Sequence, residues 1–135
     1  MTAYKVLIAD DNSVDRKVLS RVVRNQGNEV IEATNGFEAV DIFTEHRPDI
    51  VLMDVMMPGL NGKEATRQIK TIADEDFIPV IFLTSLSNAQ SLADCLESGG
   101  DDFLTKPYNQ VVLQAKIASY HRMSEMHRTL LNHRD

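Results

Sequence analysis

A single cysteine, Cys95, stands among the 135 residues, so no disulfide can form within the chain and a disulfide-stapled scaffold is excluded. Tryptophan is absent and aromatic residues make up only 6%, which leaves the core to aliphatic side chains. Four prolines and six glycines are too few for a collagen-like or linker-like chain. No apolar run approaches the ~18 residues of a membrane span. Nor does Met1-Thr2-Ala3-Tyr4-Lys5 open a signal-peptide core. The expectation is a cytoplasmic protein with no membrane segment.

Hydrophobic residues make up 43% and charged residues 25%, the balance of a globular protein. The length suits one domain, which buries roughly 68% of its unfolded surface and folds without a metal or disulfide staple. A formal net charge of −6 argues against direct binding to nucleic acid. That charge is lopsided. Residues 1–106 carry 10 Lys/Arg against 18 Asp/Glu, whereas 107–135 carry 4 against 2.

Five short apolar runs read as strands: Val6-Leu7-Ile8-Ala9, Val30-Ile31, Ile50-Val51-Leu52-Met53, Val80-Ile81-Phe82-Leu83 and Phe103-Leu104. The first, third and fourth are continuously apolar, as in strands of a parallel sheet covered on both faces, and they are too short for buried helices. Helical stripes lie between them. Val14, Val18, Leu19, Val22 and Val23 follow Ser13, and Phe37, Val40 and Phe43 follow Asn35-Gly36. Ala65, Ile69 and Ile72 follow Asn61-Gly62, and Ala89, Leu92, Ala93 and Leu96 follow Ser87-Asn88. Pro48 and Pro79 are expected to help stop the helices before them, and Gly27 and Gly99-Gly100 fall where helix ends take a left-handed residue. The pattern predicts an α/β fold: a doubly wound, five-stranded parallel sheet with five helices. Asn109 to Asp135 runs without a break as an extended C-terminal helix of up to ~26 residues, or ~39 Å. Its end is expected to project from the body or pack on another chain.

Functional groups of a parallel sheet gather at the carboxyl ends of its strands. Asp10-Asp11 follow the first run, Asp54 the third, Thr84-Ser85 the fourth and Thr105-Lys106-Pro107 the fifth. Each alone is more often a helix cap or turn residue. Together, three carboxylates repel by roughly 1 kcal/mol per pair at ~4 Å in water, and by more when partly buried. Lys106 supplies one compensating charge, and an oxygen-seeking divalent ion such as Mg²⁺ supplies the rest. No histidine lies near these strand ends to complete a hydrolytic triad, and Cys95 falls in a helical stretch, away from any metal cluster. No glycine-rich loop offers a nucleotide cradle. Phosphoryl transfer onto a carboxylate fits this set of groups.

With these residues in view, the sequence resembles the receiver domain of bacterial two-component response regulators, the CheY-like phosphoacceptor modules of flavodoxin-like fold. The matching segments are Val6 to Asp11, Asp54-Val55-Met56-Met57-Pro58-Gly59-Leu60-Asn61-Gly62, Phe82 to Ser85 and Gly100 to Tyr108, within residues 4–120. The resemblance implies that Asp54 is phosphorylated, and that Asp10, Asp11, Asp54 and the Met56 carbonyl hold Mg²⁺, with Mn²⁺ able to substitute. It implies that Lys106 pairs with the phosphoryl group and that the Lys106-Pro107 peptide is cis. Thr84 moves to the phosphoryl oxygen, and Phe103 is the switch aromatic that turns inward behind it. A sensor histidine kinase or phosphotransfer protein supplies the phosphoryl group. The altered surface then acts on an output domain or partner protein. Such a module catalyses its own labelling and is not a turnover enzyme. Met56 and Leu86 occupy positions that tune water access in the family, and their apolar side chains predict a persistent phosphoryl group.

Several residues carry plainer expectations. Met53 reads as core, Met56 and Met57 as loop packing, and Cys95 as buried filler. His121, His127 and His133 are spaced so that neighbours do not share a helical face, which suggests solvated polarity. Leu113, Ile117, Tyr120, Met123, Met126, Leu130 and Leu131 continue an apolar stripe down the last helix. Residues 1–120 are therefore assigned to the receiver and 121–135 to an extension, either a homodimerisation element or a linker to an output domain of a longer regulator. Two other readings compete. A haloacid-dehalogenase-like phosphatase also uses an Asp nucleophile and Mg²⁺, but wants Asp-x-Asp after its first strand. An unphosphorylated pseudo-receiver would not need the complete set of acids, hydroxyl and lysine.

Overall fold

Runs that are apolar at every position need cover on both faces, and the fold provides it. The computed structural model describes residues 4–85 and 89–132. Its strands are β1 (Lys5–Ala9), β2 (Glu29–Ala33), β3 (Ile50–Asp54), β4 (Val80–Thr84) and β5 (Asp102–Thr105). They alternate with α1 (Ser13–Asn25), α2 (Gly36–His46), α3 (Gly62–Ala73), α4 (Ala89–Glu97) and α5 (Gln110–Asn132). The sheet is parallel throughout, in the order β2-β1-β3-β4-β5. Every residue of β3 and β4 is buried, while the edge strands β2 and β5 are mostly half-exposed. One core layer gathers Leu7, Phe43, Met53, Ile69, Phe82 and Cys95, and the other gathers Ile8, Leu19, Leu52, Ile81, Leu113 and Ile117.

Asparagines start α1, α2, α3 and α5. The side chain of Asn12 accepts the backbone N–H groups of Val14 and Asp15, and Asn35 and Asn61 accept those of Glu38 and Glu64. Asn109 likewise accepts from Val112 at 3.1 Å ahead of α5. Left-handed Arg47 (φ 47°) closes α2, and α3 gives way at Asp74 (φ 57°). Because α3 ends at Ala73, Pro79 plays no part in stopping it. The Ser87-Asn88 start expected for α4 lies outside the described residues.

Three stripes are narrower than their spacing suggests. In α1 only Leu19, Val22 and Val23 are buried among the apolar positions, while Val14 and Val18 are exposed at 67% and 55%. The buried arc of α1 centres on Leu19 and Val23, and Val18 and Val14 lie about 100° and about 140° around the helix from Leu19, off that face. Phe37 in the first turn of α2 and Leu96 in the last turn of α4 are exposed as well.

The extension of α5 also departs from expectation. Leu113 and Ile117 are buried, and beyond Tyr120 the helix neither projects freely nor loses contact with the body. His121 stacks on Tyr4 with ring centroids 4.1 Å apart. Ser124 lies 3.2 Å from the Tyr4 hydroxyl and donates to the Tyr120 carbonyl at 2.9 Å. His127 packs against Phe77 at 5.4 Å, and its Nε2 is buried. These two histidines are thus docking groups rather than solvated polarity, because the amino ends of β1 and β4 bring aromatic rings beneath the helix. Met123, Met126 and Leu130 remain exposed. Leu131 and His133 lie outside the described side chains.

Candidate functional site

The β1–β3 register places Ala9 opposite Met53, so Asp10 and Asp54, each next along its strand, stand side by side. Both are buried, whereas Asp11 is exposed at the rim. Because Asn12 caps α1, neither Asp10 nor Asp11 is used up as a helix cap. Asp10 Oδ1 accepts the Asn12 N–H at 2.9 Å, while its buried Oδ2 has no hydrogen-bond partner among the described residues. Arg16 fixes this loop from behind. Its Nη1 donates to the Asp10 carbonyl at 2.8 Å, and its Nε donates to Glu32 Oε1 at 3.0 Å.

Asp54 Oδ1 accepts the Met56 N–H at 3.3 Å. Burial, and then the charge of Asp10, push the Asp54 carboxyl up to about 7, against the opposing pull of Lys106 and the Met56 N–H. Lys106 Nζ lies 3.7 Å from Asp54 Oδ2 and 3.6 Å from Asp15 Oδ2, with the Tyr108 ring centroid 5.9 Å away. The Lys106–Pro107 peptide is cis. Thr84 is buried at the end of β4, and its carbonyl accepts the Lys106 N–H at 2.8 Å. Burial raises the Tyr108 phenol, helped by Asp10, Asp54 and Asp15. Phe103 is half-buried against the core layer that contains Phe82.

One carboxylate oxygen from each of Asp10, Asp11 and Asp54 falls within 4.8 Å of the others. An all-oxygen donor set with an orphaned buried oxygen, and only one nearby lysine, fits a hard divalent cation. The acids, lysine and hydroxyl expected at the strand ends are therefore assembled at one edge. The side chain of Met56, expected to pack in its loop, is instead 66% exposed, while Met57 is buried. Leu86 lies outside the described residues. Asp15 and Arg16 join the site with no signal in the local sequence, and Tyr108, at the end of a matching segment, has no role that the sequence marks. An acid in the first turn of a helix is commonplace on dipole grounds, and the Arg16–Glu32 pair joins two elements that no local pattern connects.

The sequence profile of the response regulator receiver domain matches residues 6–118. The chain belongs to the response regulator receiver family. Receiver domains are signalling phosphoacceptors rather than turnover enzymes. This receiver is 37% identical to Protein PilH of Pseudomonas aeruginosa over 113 residues, which is 84% of this chain and 93% of PilH. It is also 37% identical to the probable transcriptional regulator ycf27 of Guillardia theta over 116 residues, 86% of this chain but 44% of that protein. The receiver thus spans about half the length of several relatives it matches. Among solved structures, the receiver domain of sensor histidine kinase PA1611 from Pseudomonas aeruginosa holds a magnesium ion in its active-site cleft. It matches with a TM-score of 0.81 at 30% identity, over 88% of this chain and 98% of that one. No described helix of this receiver is long and apolar enough to cross a membrane.

Proposed function

We propose that Asp54 is the phosphoacceptor of this receiver and takes its phosphoryl group from the phosphohistidine of a kinase or phosphotransfer protein. The observation that carries the reading is a buried carboxylate beside the unpartnered Asp10 Oδ2, with the Lys106 ammonium 3.7 Å away. An Asp54 oxygen forms the new P–O bond as the P–N bond breaks. The departing imidazole nitrogen takes the electron pair and then a proton from water. Asp10, Asp11, Asp54 and the Met56 carbonyl would hold Mg²⁺, or Mn²⁺ in its place, which when bound offsets negative charge on the phosphoryl oxygens.

Lys106 pulls Asp54 toward its ionised form, against burial and Asp10, and afterwards pairs with the phosphoryl group. Thr84 supplies a hydroxyl from the end of β4, and Phe103 follows it inward, altering the surface formed by α4, β5 and α5. Exposed Val14, Val18 and Met56 supply apolar contact for a partner carrying phosphohistidine. Apolar Met56 and Leu86 offer no hydrogen bond to an attacking water, favouring a persistent phosphoryl group.

Residues 1–120 form the receiver in this reading. Residues 121–135 form a handle, used for homodimerisation through exposed Met123, Met126 and Leu130 or for linkage to an output domain. The setting is the cytoplasm, in keeping with a lone buried cysteine, and nucleic acid is not bound directly.

Intact-mass analysis after incubation with phosphoramidate and Mg²⁺ tests the assignment. One phosphoryl group per chain is expected, with none on Asp54→Ala or after chelation. Phosphate release far beyond one per chain would instead point to a phosphatase.

A further inference from the structure

Lys106 does not serve Asp54 alone. Its ammonium is shared between Asp54 at 3.7 Å and Asp15 at 3.6 Å. The two carboxylates differ in depth. The Asp15 side chain is 39% exposed against 6% for Asp54, so Asp15 stands at the solvent mouth through which an anionic donor reaches the buried acceptor. The Tyr108 ring lies on another side of the ammonium, with its hydroxyl buried and lacking a hydrogen-bond partner among the described residues. Lys106 is therefore caught between a deep carboxylate, a shallow one and an aromatic ring.

We propose that Asp15 is a positioning residue for phosphoryl transfer: it holds the Lys106 ammonium at the mouth of the site and competes for it with the incoming phosphoryl group. This rests on Asp54 being the acceptor. Two consequences share one sign. The negative charge of Asp15 repels an anionic donor, and its hold on Lys106 withdraws the cation that the donor needs. Asp15 thus sets how much donor is required, and it discriminates donors by charge. A merely structural role is the alternative, since Asp15 sits in the first turn of α1, where the helix dipole favours an acid.

The test measures labelling of the full chain with Mg²⁺ against acetyl phosphate and, separately, phosphoramidate. With acetyl phosphate, Asp54 forms the P–O bond as the bond to the acetyl oxygen breaks and acetate leaves with the electron pair. Phosphoramidate breaks a P–N bond, loses ammonia and carries less negative charge. Asp15→Asn is expected to lower the half-saturating acetyl phosphate concentration about two- to fivefold, the effect of one exposed charge pair. The change should be smaller for phosphoramidate and should shrink near 1 M salt, where the Debye length is about 3 Å. Asp15→Glu, which keeps the charge, should behave like the natural chain.

If the natural chain labels and Asp15→Asn matches it with both donors, the inference falls while the Asp54 assignment stands. Equal shifts for both donors at every salt concentration, shared by Asp15→Glu, would also overturn it in favour of a structural role. If the natural chain acquires no label from either donor, the Asp54 assignment fails and the inference goes with it.

Discussion

At the scale of single residues, the surroundings of Asp54 push its carboxyl well above the usual range. Burial and Asp10 raise Asp54 from 3.8 to about 7, so the metal-free native state keeps a proton that the unfolded chain releases near pH 4. Stability therefore falls as pH rises between those values, and the loss is complete above about 7. Thermal melts of the chelated protein from pH 5 to 8 should show a declining melting temperature, with a flatter profile for Asp54→Asn. Added Mg²⁺ should restore stability most strongly at the alkaline end. A second prediction concerns the support behind the acids. Arg16→Ala frees the Asp10 carbonyl and should raise the Mg²⁺ concentration for half-maximal labelling about tenfold, as loss of an outer support of metal ligands does elsewhere. Titration of labelling against Mg²⁺ measures it. Asp10, Asp54, Thr84 and Lys106 were legible from sequence because parallel strands deliver whatever follows them to a common edge. Asp15 and Arg16 were not, since their partners come from β2 and the loop after β5.

At the scale of elements, strands were easier to read than helix faces. A run such as Ile50-Val51-Leu52-Met53 admits one interpretation, but a helical stripe records only spacing and not where the covered arc ends. Val14 and Val18 extend the apolar series of Leu19 and Val22 in sequence, yet they turn away from the arc that meets the sheet. The opposite error occurs in α5, where Tyr4 and Phe77, distant in sequence, convert two histidines into docking groups. The Tyr4–Ser124 contact makes this measurable. Tyr4→Phe should cost about 1 kcal/mol in urea unfolding, the net worth of one hydrogen bond. Tyr4→Ala should cost about 3 kcal/mol or more, because a largely buried ring is lost. In Ser124→Ala the first substitution should cost much less, since the two groups share one bond.

At the scale of the whole molecule, the uneven charge finds partners within the chain. Lys116 of α5 pairs with Asp102 at 2.8 Å, and Lys70 of α3 pairs with Asp101 at 2.8 Å. One lysine of the basic tail thus answers Asp102 of β5, while Asp101 just ahead of that strand is answered from α3. Exposed Met123, Met126 and Leu130 have no such answer within one copy. Light scattering with beryllofluoride and Mg²⁺ is expected to show a dimer that Met126→Glu returns to the monomer mass. A monomer under both conditions would remove homodimerisation and leave linkage as the role of the handle.

Helix α5 starts a few residues beyond Lys106 and runs as one rod of 23 residues past Tyr4 and Phe77. At 1.5 Å per residue it is about 34 Å long. Pivoting its first turn by about 2° would carry the far end through about an ångström. Such a pivot would be felt at the Tyr4–His121 and Phe77–His127 ring contacts, which tie the rod to the chain just ahead of β1 and β4.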